Sequence, residues 1–557
     1  MSFGGITAEA IKTAAKAYPK PAVTYTYGTA GFRTKGDLLP SVMFRIGLLA
    51  VLRSKCLGKT IGVMITASHN PEIDNGVKLV EPLGEMLKQS WEGYCTELAN
   101  AETEDAIIET LKKVISEENI PMDVDSSVVI ARDTRPSGDL LVKALLDGLN
   151  VMKADIKNYD MLTTPQLHYM VRCINTKGTP DAYGEPTTDG YYNKLYSAFK
   201  KFIAGKPKLS QLHVDCANGV GAPKLKELIK IMGDDIDIKV ENDQITTKGK
   251  LNYNCGADYV KLNQSQPEGM ELKPGYRACS LDGDADRIVY YYVDNDNVFR
   301  LLDGDKIASL AAGYIMDMAK TANIEIPRED GSKSPLKIGV VQTAYANGSS
   351  TDYLRNKLNV PVPFTQTGVK HLHHEAQKYD VGVYFEANGH GTVLFSDAAI
   401  KAFKNSKGST PEQENAIKSL QGLTELINQA VGDAISDMLL VEAILTVCGW
   451  TLEQWNSQYT DLPSKQEKVK VANRHQFKCI KADTELAEPK ELQEIINEEV
   501  KKYPHGRCFV RPSGTEDIVR VYAEADTTEN ALKLNYTISG VVFDKFGGVG
   551  ERPSYYL

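Results

Sequence analysis

No apolar run in this 557-residue chain approaches the ~18 residues needed to cross a bilayer, so a membrane span is excluded from the reading. The opening stretch, Met-Ser-Phe-Gly-Gly-Ile-Thr-Ala-Glu-Ala, lacks the charged-then-apolar pattern of a signal peptide. Cysteine is sparse and unpaired: nine residues, odd in number, with no Cys-x-x-Cys. That excludes a disulfide framework and a zinc ribbon, and fits reduced, mostly buried thiols. Positive charge is also short, with 64 Lys+Arg against 73 Asp+Glu and a net charge of -9. A broad nucleic-acid footprint is therefore not expected, and phosphate groups would have to be met by locally concentrated arginines. These absences together predict a soluble, cytoplasmic protein with no nucleic-acid or membrane partner and no implied protein partner.

Several motifs are present only in part. Gly58-Lys59-Thr60 is the tail of a P-loop, but Arg53 stands where the first glycine belongs and the stretch precedes a strand. Ser68 lacks the Gly-x-Ser-x-Gly frame of a hydrolase elbow. Gly389-x-Gly391 is not a dinucleotide fingerprint, because Leu394 takes the third glycine's place.

What is there is ordinary in bulk, with 42% apolar and 25% charged residues, and too long for one core. At roughly 150 residues per domain the length suggests about four. A short apolar strand running into a polar or glycine-bearing turn and then a helix recurs. It appears at Val128–Gly138 with a helix over about 140–152, at Leu212–Gly221 with a helix over 223–232, and at Leu336–Gly348. The pattern predicts three related α/β domains; the fold class expected for the whole chain is α/β, these three with mixed sheets and a C-terminal α+β domain carrying the phosphate-binding loop. The boundaries expected are 1–182, 183–299, 300–455 and 456–557. The stretch 174–190 reads as the loop closing the first domain, 404–415 as a loop, 412–448 as helical, and polar Ser464–Lys470 as a linker into the last domain.

The buried-strand run Ile61–Ile65 ends in Thr66-Ala-Ser-His-Asn-Pro71, with Asp74-Asn-Gly76 behind it. This leaves Ser68 on a loop at a strand's carboxyl end, where ligands of open α/β sheets bind, and its hydroxyl is expected to be exposed. Gly28-Thr-Ala-Gly-Phe-Arg33 makes a glycine turn whose amides and single arginine suit an anion. Arg132 and Arg135 would bind phosphate or, preferably, brace their turn through Asp133.

Ser280-Leu-Asp-Gly-Asp-Ala-Asp-Arg287 sets three carboxylates at spacing two, Asp282, Asp284 and Asp286. Three acids so close repel unless a cation sits among them, which predicts a divalent-metal loop. It is not an EF-hand, since Arg287 and Val293 occupy the sixth and twelfth positions.

The run of His371, His373 and His374 matches no zinc spacing and reads as surface or supporting histidines. Tyr384–Gly391 offers Glu386 and Asn388 on a glycine loop, each able to make two hydrogen bonds to hydroxyls. Arg511 and Arg520 bracket Pro512-Ser513-Gly514-Thr515, a turn whose hydroxyls and amides can cup a phosphate.

Thr66-Ala-Ser-His-Asn-Pro71 and Asp282-Gly-Asp-Ala-Asp-Arg287 resemble the phosphoserine and metal loops of the α-D-phosphohexomutases. The Arg132-Asp133 element comes after the serine loop rather than before it, which is similar to the eukaryotic phosphoacetylglucosamine mutase subgroup. Matching elements run from Gly28 to Arg520.

The resemblance implies an isomerase that interconverts N-acetylglucosamine 6-phosphate and 1-phosphate through phosphorylated Ser68 and a 1,6-bisphosphate, which is both intermediate and activator. It also implies a role in UDP-N-acetylglucosamine supply. By the same match Mg²⁺ would be held by Ser68, Asp282, Asp284 and Asp286, with Arg33 and Arg287 adding positive charge. His69 and Lys370 are the candidates for proton transfer. Glu386, Ala387 and Asn388 would hold the sugar, and Arg511 through Thr515 with Arg520 the phosphate not being transferred. A hexose-phosphate mutase, a phosphatase and a silent phosphosugar-binding protein are the rival readings.

Overall fold

The structure, a computed structural model, describes residues 5–328, 330–513 and 517–554. They form two compact units, residues 1–303 with 422–449 and residues 304–421 with 450–557.

The first unit holds two five-stranded sheets. One comprises β1 (Phe32–Lys35), β2 (Ile61–Ile65), β3 (Asp74–Val80), β4 (Ser127–Arg132) and β5 (Asp155–Met161), in the order β1-β3-β2-β4-β5. β2, β4 and β5 are parallel, while β3 runs against β2 and β1 against β3. All five residues of β2 are buried, as its unbroken apolar run requires of a strand covered on both faces. Helices Pro40–Leu57 and Thr164–Thr176 pack on it.

The other sheet comprises β6 (Leu212–Asp215), β7 (Ile238–Glu241), β8 (Arg277–Leu281), β9 (Ile288–Val293) and β10 (Phe299–Leu302), in the order β10-β9-β8-β6-β7. β7, β6 and β8 are parallel, and β9 and β10 add antiparallel. Helix Ala434–Cys448, buried almost all round, packs on helix Thr188–Ile203 and on β9.

In the second unit a hairpin of β11 (Glu325–Pro327) and β12 (Lys333–Pro335) precedes a sheet of β13 (Ile338–Thr343), β14 (Phe364–Thr365), β15 (Val381–Phe385) and β16 (Gly391–Phe395). Its order is β14-β13-β15-β16, with only β16 antiparallel. β17 (Ser464–Lys470), β20 (Arg507–Pro512) and β21 (Ile518–Glu524) form an antiparallel sheet in the order β17-β21-β20. β18 (Lys478–Ile480) and β19 (Glu485–Glu488) form a hairpin beside it.

The three α/β sheets share one plan. In each, the chain leaves a parallel strand and returns as its antiparallel neighbour, and a candidate loop makes that reversal. Ser68 lies between β2 and β3, the three aspartates between β8 and β9, and Glu386–Asn388 between β15 and β16.

Two segments depart from the sequence reading. Ser464–Lys470 is not a linker but edge strand β17, polar because only Val469 points into the core. The expected loop over 404–415 is mostly helical, since one helix runs Asp397–Asn405 and the next begins at Pro411. The helical stretch from 412 is two helices, Pro411–Leu426 and Ala434–Cys448. The helices predicted over 140–152 and 223–232 span Gly138–Val151 and Gly221–Met232. No helix of the described residues is long and apolar enough to cross a membrane.

Candidate active site

Ser68 sits at the first polar turn after β2 with a positive φ of 52°, unusual for a residue with a side chain. Its neighbours hold it there. Its amide donates to Thr66 Oγ1 at 2.9 Å, and Thr66 in turn donates to Asp133 Oδ2 at 2.7 Å. Asp133 accepts Arg135 Nε at 3.0 Å, and the rest of that guanidinium donates to the carbonyls of Pro71, Asp74, Ser68 and Asn70 at 2.6–2.9 Å. All five N–H donors of Arg135 are thus spent on its own scaffold, so it braces the loop and is not a phosphate ligand. Asn252 Nδ2 adds bonds to the Ser68 and Asn70 carbonyls at 2.8 and 3.1 Å. Contrary to expectation the Ser68 hydroxyl is not exposed; the residue is 0% accessible.

The metal loop touches the serine loop. A side chain at Gly283 would place its Cβ 2.6 Å from the Ser68 carbonyl oxygen, so only glycine permits this approach. Ser68 Oγ donates to Asp282 Oδ2 at 2.7 Å, while Asp282 Oδ1 accepts the amides of Asp286 and Arg287. Thr164 Oγ1 donates to Asp284 Oδ2 at 2.6 Å. The carbonyls of Gly283, Asp284 and Ala285 accept the amides of Val220, Thr164 and Ala434, each at or beside a helix N-terminus. One carboxylate oxygen from each of the three aspartates lies within 4.8 Å of the others, and all three residues are buried. Burial first, then Asp286 and Asp284, pushes the Asp282 carboxyl well above the usual carboxylate range. Asp284 Oδ1 is buried with no hydrogen-bond partner among the described residues. Hard oxygens held this close, one of them unsatisfied, fit a small divalent cation.

Positive groups surround the acids. Lys78 Nζ is 3.6 Å from Asp284 and 3.5 Å from Asp286, and Arg287 pairs with Asp258 at 2.7 Å. Arg33 is half-buried on β1; burial, then Arg287, lowers its pKa. In the glycine turn before it, the amides of Gly28 and Gly31 donate to each other's carbonyls, so neither glycine amide is left for an anion. His69 Nδ1 lies 3.4 Å from Ser68 Oγ and 3.9 Å from Asp258. Burial, then Arg287 and Arg33, pushes its pKa down to about 2, so the ring is neutral at ordinary pH.

The second unit carries the remaining candidates. Lys370 is the second residue of helix Val369–Ala376. Of the neighbouring histidines, His373 bonds Tyr384 and Gln377, and His374 bonds the other end of the Gln377 amide. In the Glu386–His390 turn, Asn388 Oδ1 already accepts the His390 amide at 3.1 Å, which leaves the Nδ2 group as its outward donor. Glu386, Ala387 and Asn388 are half-buried. Arg511 and Arg520 lie directly opposite one another across β20 and β21. Like charges in that register repel unless an anion joins them. The Tyr345 ring edge-packs on Phe509 and Tyr522. Burial raises its hydroxyl pKa while the nearby Arg511 and Arg520 pull it back. The Ser513 amide is used by the Ile518 carbonyl, and Gly514 and Thr515 lie outside the described residues.

Family models match most of the chain. Phosphoacetylglucosamine mutase AMG1 domain II matches residues 181–289 and domain III residues 303–450. The phosphoglucomutase/phosphomannomutase alpha/beta/alpha domain I matches 47–106 and 95–179, and the C-terminal domain 467–538. The phosphoacetylglucosamine mutase of Sus scrofa is 54% identical, over 98% of this chain and 99% of its own. The chain belongs to the phosphoacetylglucosamine mutase family. It is accordingly an isomerase of the phosphohexomutase superfamily, with that superfamily's four-domain α/β architecture.

Two solved members of this mutase family come from Aspergillus fumigatus. N-acetylphosphoglucosamine mutase in complex with GlcNAc-6P and magnesium matches with a TM-score of 0.90 and 53% identity, over 95% of this chain and 97% of that one. A serine-to-alanine variant in complex with glucose 1,6-bisphosphate matches at 0.92 and 52%, over 97% and 99%.

Sequence reasoning missed Lys78, Asp258, Thr164, Asn252 and Tyr345. Lys78 left one trace, a cation inside the otherwise apolar Val77–Val80. The others are brought in only by the fold.

Proposed function

We propose that the chain interconverts N-acetylglucosamine 6-phosphate and N-acetylglucosamine 1-phosphate through phosphorylated Ser68, and so supplies UDP-N-acetylglucosamine synthesis. The observation that carries this reading is the Ser68 hydroxyl 2.7 Å from Asp282, within a buried cluster of acids and cations. The likeness to enzymes crystallised with GlcNAc-6P, magnesium and a sugar bisphosphate supports it.

Asp282, Asp284 and Asp286, with an oxygen of phosphorylated Ser68, would hold one Mg²⁺; bound there, it supplies countercharge to the transferring phosphoryl group. The bond from phosphorus to Ser68 Oγ breaks as one forms to the free sugar hydroxyl, whose proton passes to a base. His69, neutral and beside Ser68, and Lys370 are the two candidates for that base. Arg33 and Arg287 add positive charge around the reacting group. The resulting 1,6-bisphosphate reorients and returns its other phosphate to Ser68.

Glu386, Ala387 and Asn388 hold the ring, and the loop from Arg511 through Pro512, Ser513, Gly514 and Thr515, with Arg520, grips the distal phosphate in either orientation. In this reading the serine, metal, sugar and phosphate loops fall in segments 1–182, 183–299, 300–455 and 456–557.

Phosphorus NMR of the protein with Mg²⁺ and N-acetylglucosamine 6-phosphate is the test. The expected result is the 1-phosphate without free phosphate. Accumulating inorganic phosphate would indicate a phosphatase, and faster turnover of glucose 6-phosphate a hexose mutase.

A further inference from the structure

The turn between β18 and β19 is built at a cost. Lys481, Ala482 and Asp483 have φ of 49°, 57° and 67°, three consecutive left-handed residues with no glycine among them. Such backbone persists only where surrounding contacts over-determine it. The contacts converge on one atom. Asp483 Oδ2 accepts Arg511 Nε at 3.0 Å and the Thr367 amide at 2.9 Å, and the residue is 8% exposed. Arg511 is the arginine opposite Arg520, and Thr367 stands one residue before Gly368, whose φ of 131° turns the chain into the helix that carries Lys370.

We propose that Asp483 is a positioning residue that couples the grip of Arg511 on the distal phosphate to the placement of the loop leading into Lys370. This rests on the reading of Arg511 as a phosphate ligand and Lys370 as a proton-transfer group. The logic is electrostatic. Unliganded, Arg511 is partly neutralised by Asp483, which offsets its repulsion from Arg520. A phosphate arriving at the arginines takes over that role. The Asp483 carboxylate then shares less of its charge with Arg511 and holds the Thr367 amide more strongly, because each donor to a shared oxygen weakens the other. Phosphate binding thereby stiffens the segment before Lys370.

Asp483→Ala severs the link, and Asp483→Asn keeps an acceptor for Thr367 without the charge. The expected result for alanine is a kcat lower by about ten- to a hundredfold, as for a small misplacement of a reacting group, with KM little changed. Asparagine should recover part of kcat. Hydrogen exchange separates coupling from a merely structural role. In wild type, N-acetylglucosamine 6-phosphate should slow amide exchange over 365–371. In the alanine variant the ligand should still bind by calorimetry but leave that exchange unchanged. A raised KM at normal kcat, or ligand-induced protection that survives in the alanine variant, would overturn the coupling alone. Failure of Arg511→Ala to weaken ligand binding would overturn the reading of the arginine loop and the coupling with it.

Discussion

Arg135 and Arg511 each pair with an aspartate through Nε, at 3.0 Å in both cases, yet the two side chains sit in opposite surroundings. Arg135 has a fully buried side chain and commits every remaining N–H to a carbonyl of the serine loop. Arg511 has a side chain 24% exposed, faces Arg520 across the sheet, pairs with Asp483 and interacts with the Tyr345 hydroxyl. An arginine with no donor left is scaffold; one that pairs through Nε beside a second arginine is, in the proposed reading, a place for an anion. In the proposed reaction the serine loop would hold a phosphoryl donor still, whereas the arginine loop would accept a phosphate from either end of a turning intermediate.

The comparison breaks first at Ser68, where the effect should be largest. If the rigid loop exists to carry the phosphoryl group, Ser68→Ala abolishes turnover and leaves folding and sugar-phosphate binding nearly intact. Intact-protein mass before and after sugar-bisphosphate treatment checks it, since wild type should gain one phosphoryl group and the variant none. Next is Asp284→Ala. Losing one oxygen ligand should cost far more activity than stability, because the change also relieves repulsion among the buried acids. Mg²⁺ binding by calorimetry should weaken in parallel, and chelation of wild type should reproduce the loss. Full activity without a divalent ion would remove the metal from the site.

The two arginines sharpen the contrast directly. Arg135→Ala strands Asp133 in the core, where burial already raises its pKa, and should cost about 3–5 kcal/mol of stability as for a broken buried pair. Arg511→Ala should cost little stability and weaken sugar-phosphate binding roughly ten- to a hundredfold, the worth of a charge-assisted bond. Denaturant unfolding and calorimetry on both variants read the two effects. Equal stability losses would mean that Arg511 is scaffold too.

Much of this was legible in the chain itself. Fully buried strands such as Ile61–Ile65 announce themselves as unbroken apolar runs, and the acids of 282–286 by their spacing and mutual repulsion. The leaning toward Arg135 as a brace held, because an adjacent aspartate already offered it a partner. β17 was illegible because a solvent-facing edge strand needs only one buried side chain, here Val469. Asp258, Thr164 and Asn252 carry no local pattern at all: the first two stand in the first turn of the helices Ala257–Asn263 and Thr164–Thr176, and Asn252 stands in a turn. Asp483 was hidden for another reason: its turn, Lys-Ala-Asp-Thr, contains neither glycine nor asparagine to advertise left-handed backbone.

The smallest expected effect concerns Asn388, the residue proposed to meet the sugar in the unit that carries Arg511. Its Oδ1 is occupied by the His390 amide, so the side chain both shapes the turn and presents Nδ2 outward. A donor at that place suits the carbonyl of an acetamido group better than it suits a bare hydroxyl, which can find either partner. Exchanging Asn388 for Ser keeps an acceptor for the His390 amide but shortens the reach of the outward donor. The ratio of kcat/KM for N-acetylglucosamine 6-phosphate over glucose 6-phosphate should then fall by about 0.5–1.5 kcal/mol, one hydrogen bond's worth. Equal losses on both sugars would mean that Asn388 serves the turn alone and that selectivity is set by the room left for the acetamido group.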